Sequence, residues 1–203
     1  YVRHVIGKES SSVWLAHREG RAKNGDDRTS PALIRMLMNG EDASAWNALR
    51  VHPVTLSYEW DPCDAMKVKE LLVSAANGGV YEKEAGEDER SMKQGLFGWK
   101  GNIHVAIGEP VLWEEGLEEG RPHTWLADKL DKRLHQAIRI WPSQHWAAQQ
   151  LSHINSTMVD DWSSIWDPEM LSEQDSELCL ERVTGIQKEL RHLPFSADEI
   201  HRK

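Results

Sequence analysis

The chain has 203 residues, 33 acidic and 24 basic side chains and a net charge of −9. Its isoelectric point near 5.6, and basic residues that gather on no long stripe, disfavour nucleic acid as a general partner. The length has room for a sizeable core, and no run approaches the roughly 20 consecutive apolar residues of a membrane-spanning helix.

Taken in chain order, Tyr1-Val2-Arg3-His4-Val5-Ile6 reads as the tail of a helix. Ser12 to Ala16 is short and β-favouring and predicts a strand, followed by a charged turn that Asn24-Gly25 closes. Ser30-Pro31 opens an apolar helix through Met38, ended by Asn39-Gly40. Pro53 to Tyr58 predicts a second strand. Asp61-Pro62 starts a helix to about Ala76, stopped by Asn77-Gly78-Gly79. A charged linker, Glu82 to Glu89, leads to a helix near Asp88 to Phe97, and Asn102 to Ile107 predicts a third strand. Leu126, Leu130, Leu134, Ala137, Ile138 and Trp141 recur at helical spacing, so Pro122 to Trp141 predicts an amphipathic helix with its proline near the first position.

Beyond Trp141-Pro142 the character turns helical and acidic, with eight acids and no Lys or Arg from Val159 to Glu181. Asp167-Pro168-Glu169 reads as a helix start, and Leu171, Leu178, Val183, Ile186 and Leu190 form an apolar stripe up to Pro194. The expected fold class is α/β: the later half of a mixed sheet flanked by helices, with a helical carboxy-terminal extension. Residues 1–141 are expected to form the α/β part and 142–203 the acidic extension.

The most informative segment is Val13 to Gly25, where an apolar run enters a turn carrying Arg18, Glu19, Gly20, Arg21 and Lys23. Arginine forks match phosphate oxygens, a glutamate can orient an arginine or a ligand hydroxyl, and a glycine lets backbone approach a ligand closely. With Arg28, these cations make a local basic patch able to receive one phosphate. The alternative is a charged turn that only solvates a surface.

The run His17-Arg18-Glu19-Gly20-Arg21-Ala22 resembles the third sequence block of the glycerophospholipid acyltransferases, the lysophosphatidate acyltransferase family, whose common form is Phe-Pro-Glu-Gly-Thr-Arg. The glutamate and glycine match, the Phe-Pro pair does not, and the arginine falls one place early. The Arg-Glu-Gly-Arg form followed by a Gly/Asp-rich turn is closer to a divergent bacterial branch of that family. Val51-His52-Pro53-Val54-Thr55-Leu56 resembles the family's fourth block. The likeness extends through Ser57-Tyr58-Glu59-Trp60-Asp61-Pro62-Cys63-Asp64 and Gly98 to Gly108, about two thirds of the chain.

The resemblance implies transfer of a fatty acyl group from a thioester of coenzyme A or acyl carrier protein to a glycerophosphate or lysophospholipid hydroxyl, without metal or other cofactor. It implies that Glu19 and Gly20 shape the acceptor site while Arg21, with Arg18 and Lys23, offsets the phosphate charge. It also implies a protein at the cytoplasmic face of a membrane, held peripherally. The family's base, the histidine of a His-x4-Asp pair, lies upstream of the Glu-Gly block, and Tyr1 to Ala16 contain no such pair. The chain is therefore expected to be the carboxy-terminal part of a longer enzyme, inactive alone. The competing class is a non-catalytic binding or assembly module.

Other signals are weaker. His123 and Asp128 have the dyad spacing, but five residues on a helix set them about 140° apart. Cys63 and Cys179 lack metal-site spacing and suggest reduced thiols in an intracellular setting. His17, His52 and His104 each fall on or beside an expected strand, and the ten histidines include no His-Glu-x-x-His. No P-loop or Gly-x-Gly-x-x-Gly follows a strand, which sets aside nucleotide hydrolysis and dinucleotide chemistry. Of ten tryptophans, Trp141, Trp146, Trp162 and Trp166 cluster late. Core filling is their expected role and lipid-interface anchoring the alternative.

Overall fold

Proline and glycine punctuation sets most of the elements. The computed structural model describes residues 1–18, 26–38, 40, 43–114, 116, 121–154 and 168–201. Helices α1 (Val2–Lys8), α2 (Pro31–Met38) and α3 (Ala43–Asn47) precede strand β1 (Val54–Tyr58). Then come α4 (Asp64–Ala76), α5 (Glu87–Phe97), β2 (Ile103–Ile107), α6 (Pro122–Gln136) and α7 (Pro142–Ile154). A 3₁₀ turn (Pro168–Met170) leads to α8 (Glu173–Leu190) and α9 (Ala197–His201). Pro31, Pro122 and Pro142 each occupy the first helical position, where a missing N–H breaks no intrahelical bond.

Contacts divide the chain into two units, and the dividing points fall inside both strands. One unit comprises Tyr1–Leu56 with His104–Ile138, the other Ser57–Ile103 with Arg139–Lys203. In the first, α2 packs on α6 around Ile34, Met38, Trp46, Val111, Trp113, Leu126 and Leu130. Trp46 is fully buried and donates its Nε1–H to the Val111 carbonyl at 2.7 Å, so its one polar atom is satisfied within the core. The next residue, Asn47, grips the backbone of Trp113 from both sides. Its Nδ2 donates to the carbonyl and its Oδ1 accepts the N–H, both at 2.9 Å. The Arg3 guanidinium closes the C-terminus of α2 by donating to the carbonyls of Leu37 at 2.6 Å and Met38 at 2.7 Å, two acceptors the helix itself leaves open.

In the second unit Val68 and Leu72 of α4 pack against Leu190 of α8 and Ile200 of α9. Arg182 holds Asp64 with a two-pronged fork, Nε to Oδ2 at 2.7 Å and Nη2 to Oδ1 at 2.5 Å. Cys63 and Cys179 are buried thiols.

β1 and β2 form a two-stranded antiparallel ribbon. Its register is fixed by Gly108 N–H donating to Pro53 O at one end and Glu59 N–H to Asn102 O at the other, each at 2.9 Å. Gly101 turns the chain into β2 at φ +63°, and a Cβ there would lie 2.5 Å from Glu59 Oε2 and 2.7 Å from Trp60 Cδ1. Only glycine fits that turn.

The fold is thus helix-rich with a small sheet, α/β in the general sense of the expectation. Several boundaries move. Ser12 to Ala16 is not a strand, and Trp14 and Leu15 are exposed. β propensity describes fit to a sheet, and among the described residues the sheet consists of β1 and β2 alone, so no neighbour pairs with this run. The helix expected to reach Trp141 stops at Gln136. Pro142 disfavours a helical Trp141, and the segment instead follows β1, with Arg139 N–H donating to Ser57 Oγ at 3.0 Å and Trp141 Nε1–H to Ser57 O at 3.3 Å. The last long helix begins at Glu173, not at Pro168. A capping box outcompetes the proline signal there: Ser172 Oγ accepts from Asp175 N–H and the Asp175 carboxylate accepts from Ser172 N–H, both at 3.1 Å. Trp141 and Trp146 are buried, whereas Trp162 and Trp166 lie outside the described residues.

Candidate functional site

The segment that carries the expected site is bracketed in the sequence by His17 on one side and by Thr29 and Ser30 on the other. Its neck is closed by hydrogen bonds. Ser30 N–H donates to the His17 carbonyl at 2.8 Å, and the His17 Nδ1 lies 3.1 Å from Thr29 Oγ1. Thr29 in turn is fixed to α6: its N–H and its hydroxyl both donate to Asp131 Oδ1, at 2.8 and 2.5 Å. Thr29 and Asp131 are 4 % and 6 % exposed, so this carboxylate is taken out of water and held by threonine donors. Asp131 follows Leu130 on α6, so packing of α2 on α6 sets where the neck sits.

Of the residues expected to bind phosphate, Arg18 is among those described and forms an ion pair with Asp27 at 3.3 Å. Glu19, Gly20, Arg21 and Lys23 lie outside the described residues. Arg28 pairs with Asp26 at 2.9 Å, and His135 of α6 stands 3.6 Å from the same carboxylate. The neck thus brings Arg18, Arg28, His17 and His135 into one charged region with Asp26 and Asp27. Such partly exposed pairs contribute little to stability, on the order of 0–1 kcal/mol each.

Sequence reasoning missed Thr29 and Asp131. The readable signal was an acid within the apolar repeat of the helix, three residues before Leu134 and four after Ala127. His123 and Asp128 both lie in α6, where His123 is half-buried and Asp128 exposed, and helical geometry turns them away from one another. His52 sits 2.9 Å from the Gly108 carbonyl, an anchor for the strand pair.

A concavity lies in the other unit, a groove of about 880 Å³ whose lining includes Asp64, Lys69, Glu84, Arg90, Arg182 and His192. Lys69 pairs with Glu84 at 2.6 Å, Arg90 with Glu84 at 3.3 Å, and Arg182 with Asp64. The Lys69 ammonium holds the Glu84 carboxyl below its usual range, and Asp64 raises the Arg182 guanidinium further. These are the marks of an ion-pair network knitting α4, α5 and α8. Beside it, burial and the Glu87 carboxylate push the Tyr81 phenol up to about 12. Burial, with the Asp175 and Glu59 charges, raises the Cys179 thiol to about 11, which disfavours a thiolate nucleophile.

Among the described residues no group of three or more His, Cys, Asp or Glu side chains could hold a metal ion, and no helix is long and apolar enough to cross a membrane. Compared with protein-family models, curated proteins and solved structures, the chain shows no match.

Proposed function

We propose that the chain is part of an acyltransferase whose 18–28 loop receives the phosphate of a glycerophosphate or lysophospholipid acceptor. The observation that carries the reading is the closed neck. The stretch of sequence carrying Arg18, Glu19, Gly20, Arg21, Lys23 and Arg28 is bracketed by His17 and Thr29, which are joined by hydrogen bonds, and the buried Asp131 carboxylate pins Thr29. Tying the flanks of a cationic stretch together in this way lowers the entropy lost when an anion binds to it. The acyl donor in this reading is a thioester of coenzyme A or acyl carrier protein, and no metal takes part. Glu19 and Gly20 shape the acceptor site while Arg21, Arg18 and Lys23 offset phosphate charge.

The same reading makes β1 and β2 the later strands of a larger mixed sheet. What supports this is the inverted patterning of the ribbon: Thr55 is buried, whereas Leu56, Val105 and Ile107 are 46 %, 52 % and 72 % exposed. An apolar sheet face of this kind is normally covered by another layer. Because the 203 residues hold no His-x4-Asp pair with workable geometry, the proton-removing base is assigned outside them, and peripheral contact with the cytoplasmic face of a membrane is part of the proposal.

The test is equilibrium binding of lysophosphatidate by the chain and by Arg21→Ala. Weaker binding by the variant supports the reading, and equal affinity overturns it. A thioester-consumption assay on the same chain is expected to show no turnover, and activity lost in His123→Ala would move the chemistry to α6. A second reading, a non-catalytic module whose loop is merely solvated, draws on the pairing of Arg18 with Asp27 and of Arg28 with Asp26, since cations already matched by carboxylates need no ligand.

A further inference from the structure

The neck of the loop has a definite proton order. A threonine hydroxyl has one proton to give and lone pairs to accept with. Thr29 Oγ1 stands 2.5 Å from Asp131 Oδ1, so its proton is committed to the carboxylate. Its contact with His17 Nδ1 at 3.1 Å is then a hydrogen bond only if His17 is the donor. The assignment follows from the network: Nδ1 carries a proton, and in the neutral ring the lone pair sits on Nε2.

We infer that Asp131 is a positioning residue for the two described flanks, His17 and Thr29–Ser30, of the segment proposed to receive phosphate, acting through Thr29 on both flanks and on the tautomer of His17. This rests on the function proposed above for what the loop receives; the clasp itself rests on the geometry. Three features make it a clasp rather than ordinary packing. Asp131 is buried, and among the described residues its donors come from Thr29, so its carboxylate depends on the Thr29 contacts for its hydrogen bonds. Ser30 N–H, adjacent to Thr29, closes the second strand of the neck on the His17 carbonyl, so releasing Thr29 loosens both bonds together. His17 is held by its ring on Thr29, so the residue that precedes the Arg18–Asp27 pair in the sequence has an oriented imidazole.

The test uses the full chain with Thr29→Val, which keeps shape and removes the hydroxyl, and Thr29→Ser, which restores the hydroxyl; circular dichroism confirms that both fold. Three readouts are taken. The ¹⁵N shifts of the His17 ring are expected to report Nδ1–H in the parent and in Thr29→Ser, and to move toward Nε2–H in Thr29→Val. Amide exchange at Thr29 and Ser30 is expected to rise about tenfold in Thr29→Val and to return in Thr29→Ser. Lysophosphatidate affinity is expected to fall about tenfold in Thr29→Val and to stay within about twofold in Thr29→Ser. An unchanged His17 tautomer with unchanged exchange in Thr29→Val overturns the clasp. Open exchange with parent-like affinity overturns the positioning role. If the parent chain binds no lysophosphatidate, the functional reading fails, and the ring shifts and exchange rates still decide the clasp.

Discussion

Trp46→Phe removes one indole from the centre of the core on which the loop's base stands. Two effects add. The Nε1–H bond to Val111 O at 2.7 Å disappears and leaves a buried carbonyl without that donor, a loss of about 1–3 kcal/mol. Phenylalanine also fills less of a site that is 0 % exposed, and the void costs on the order of 1 kcal/mol because neighbours relax only in part. The expected destabilisation is about 2–4 kcal/mol, read from urea unfolding as a lower midpoint with an unchanged slope. Because Trp46 packs with Ile34 of α2 and Leu126 of α6, amide exchange at Thr29 should rise as well, through the two helices that hold the neck. A midpoint shift worth less than about 0.5 kcal/mol would refute this picture of the core, since surface substitutions alone reach that size.

Gly101→Ala should destabilise by about 1–3 kcal/mol in the same assay, because φ is +63° and the new Cβ meets Glu59 and Trp60; parent-like stability would mean the turn relaxes freely. Stability should fall as the pH rises from 10 toward 12, as the unfolded Tyr81 phenol loses its proton at about 10 while the folded one keeps it to about 12. Below pH 10 both states are protonated and the contribution is complete. Tyr81→Phe should flatten that part of the pH profile, and an identical slope would remove Tyr81 as its source. Cys63 and Cys179, 4 % and 2 % exposed, should react with a thiol reagent at the rate of unfolding, and two fast-reacting thiols in the native protein would contradict their burial.

Sequence legibility followed the kind of information each element needs. α2, α4, α5 and both strands were readable because caps, glycine turns and residue periodicity act within a few residues. Ser12 to Ala16 carries the same local signature as β1 and yet stays outside the sheet, since a strand needs a neighbour and a propensity cannot supply one. The end of α6 was misplaced because Ile138 and Trp141 continue the helical spacing, while Pro142 and the bonds to Ser57 draw the chain away. At the candidate site the cationic residues stood out by composition. The clasp did not, because Thr29 and Asp131 are 102 residues apart and only folding joins them. An acid inside an apolar helical repeat was the one trace it left.

The central claim, that the loop closed between His17 and Thr29 receives a phosphate, is tested most directly by titrating the ¹⁵N-labelled chain with lysophosphatidate. Amide shifts confined to the neck, at His17, Arg18, Asp27, Arg28 and Thr29, and abolished in Arg21→Ala, are the predicted result. Shifts that map to the groove between α4 and α8 instead, or that persist undiminished without Arg21, would contradict it.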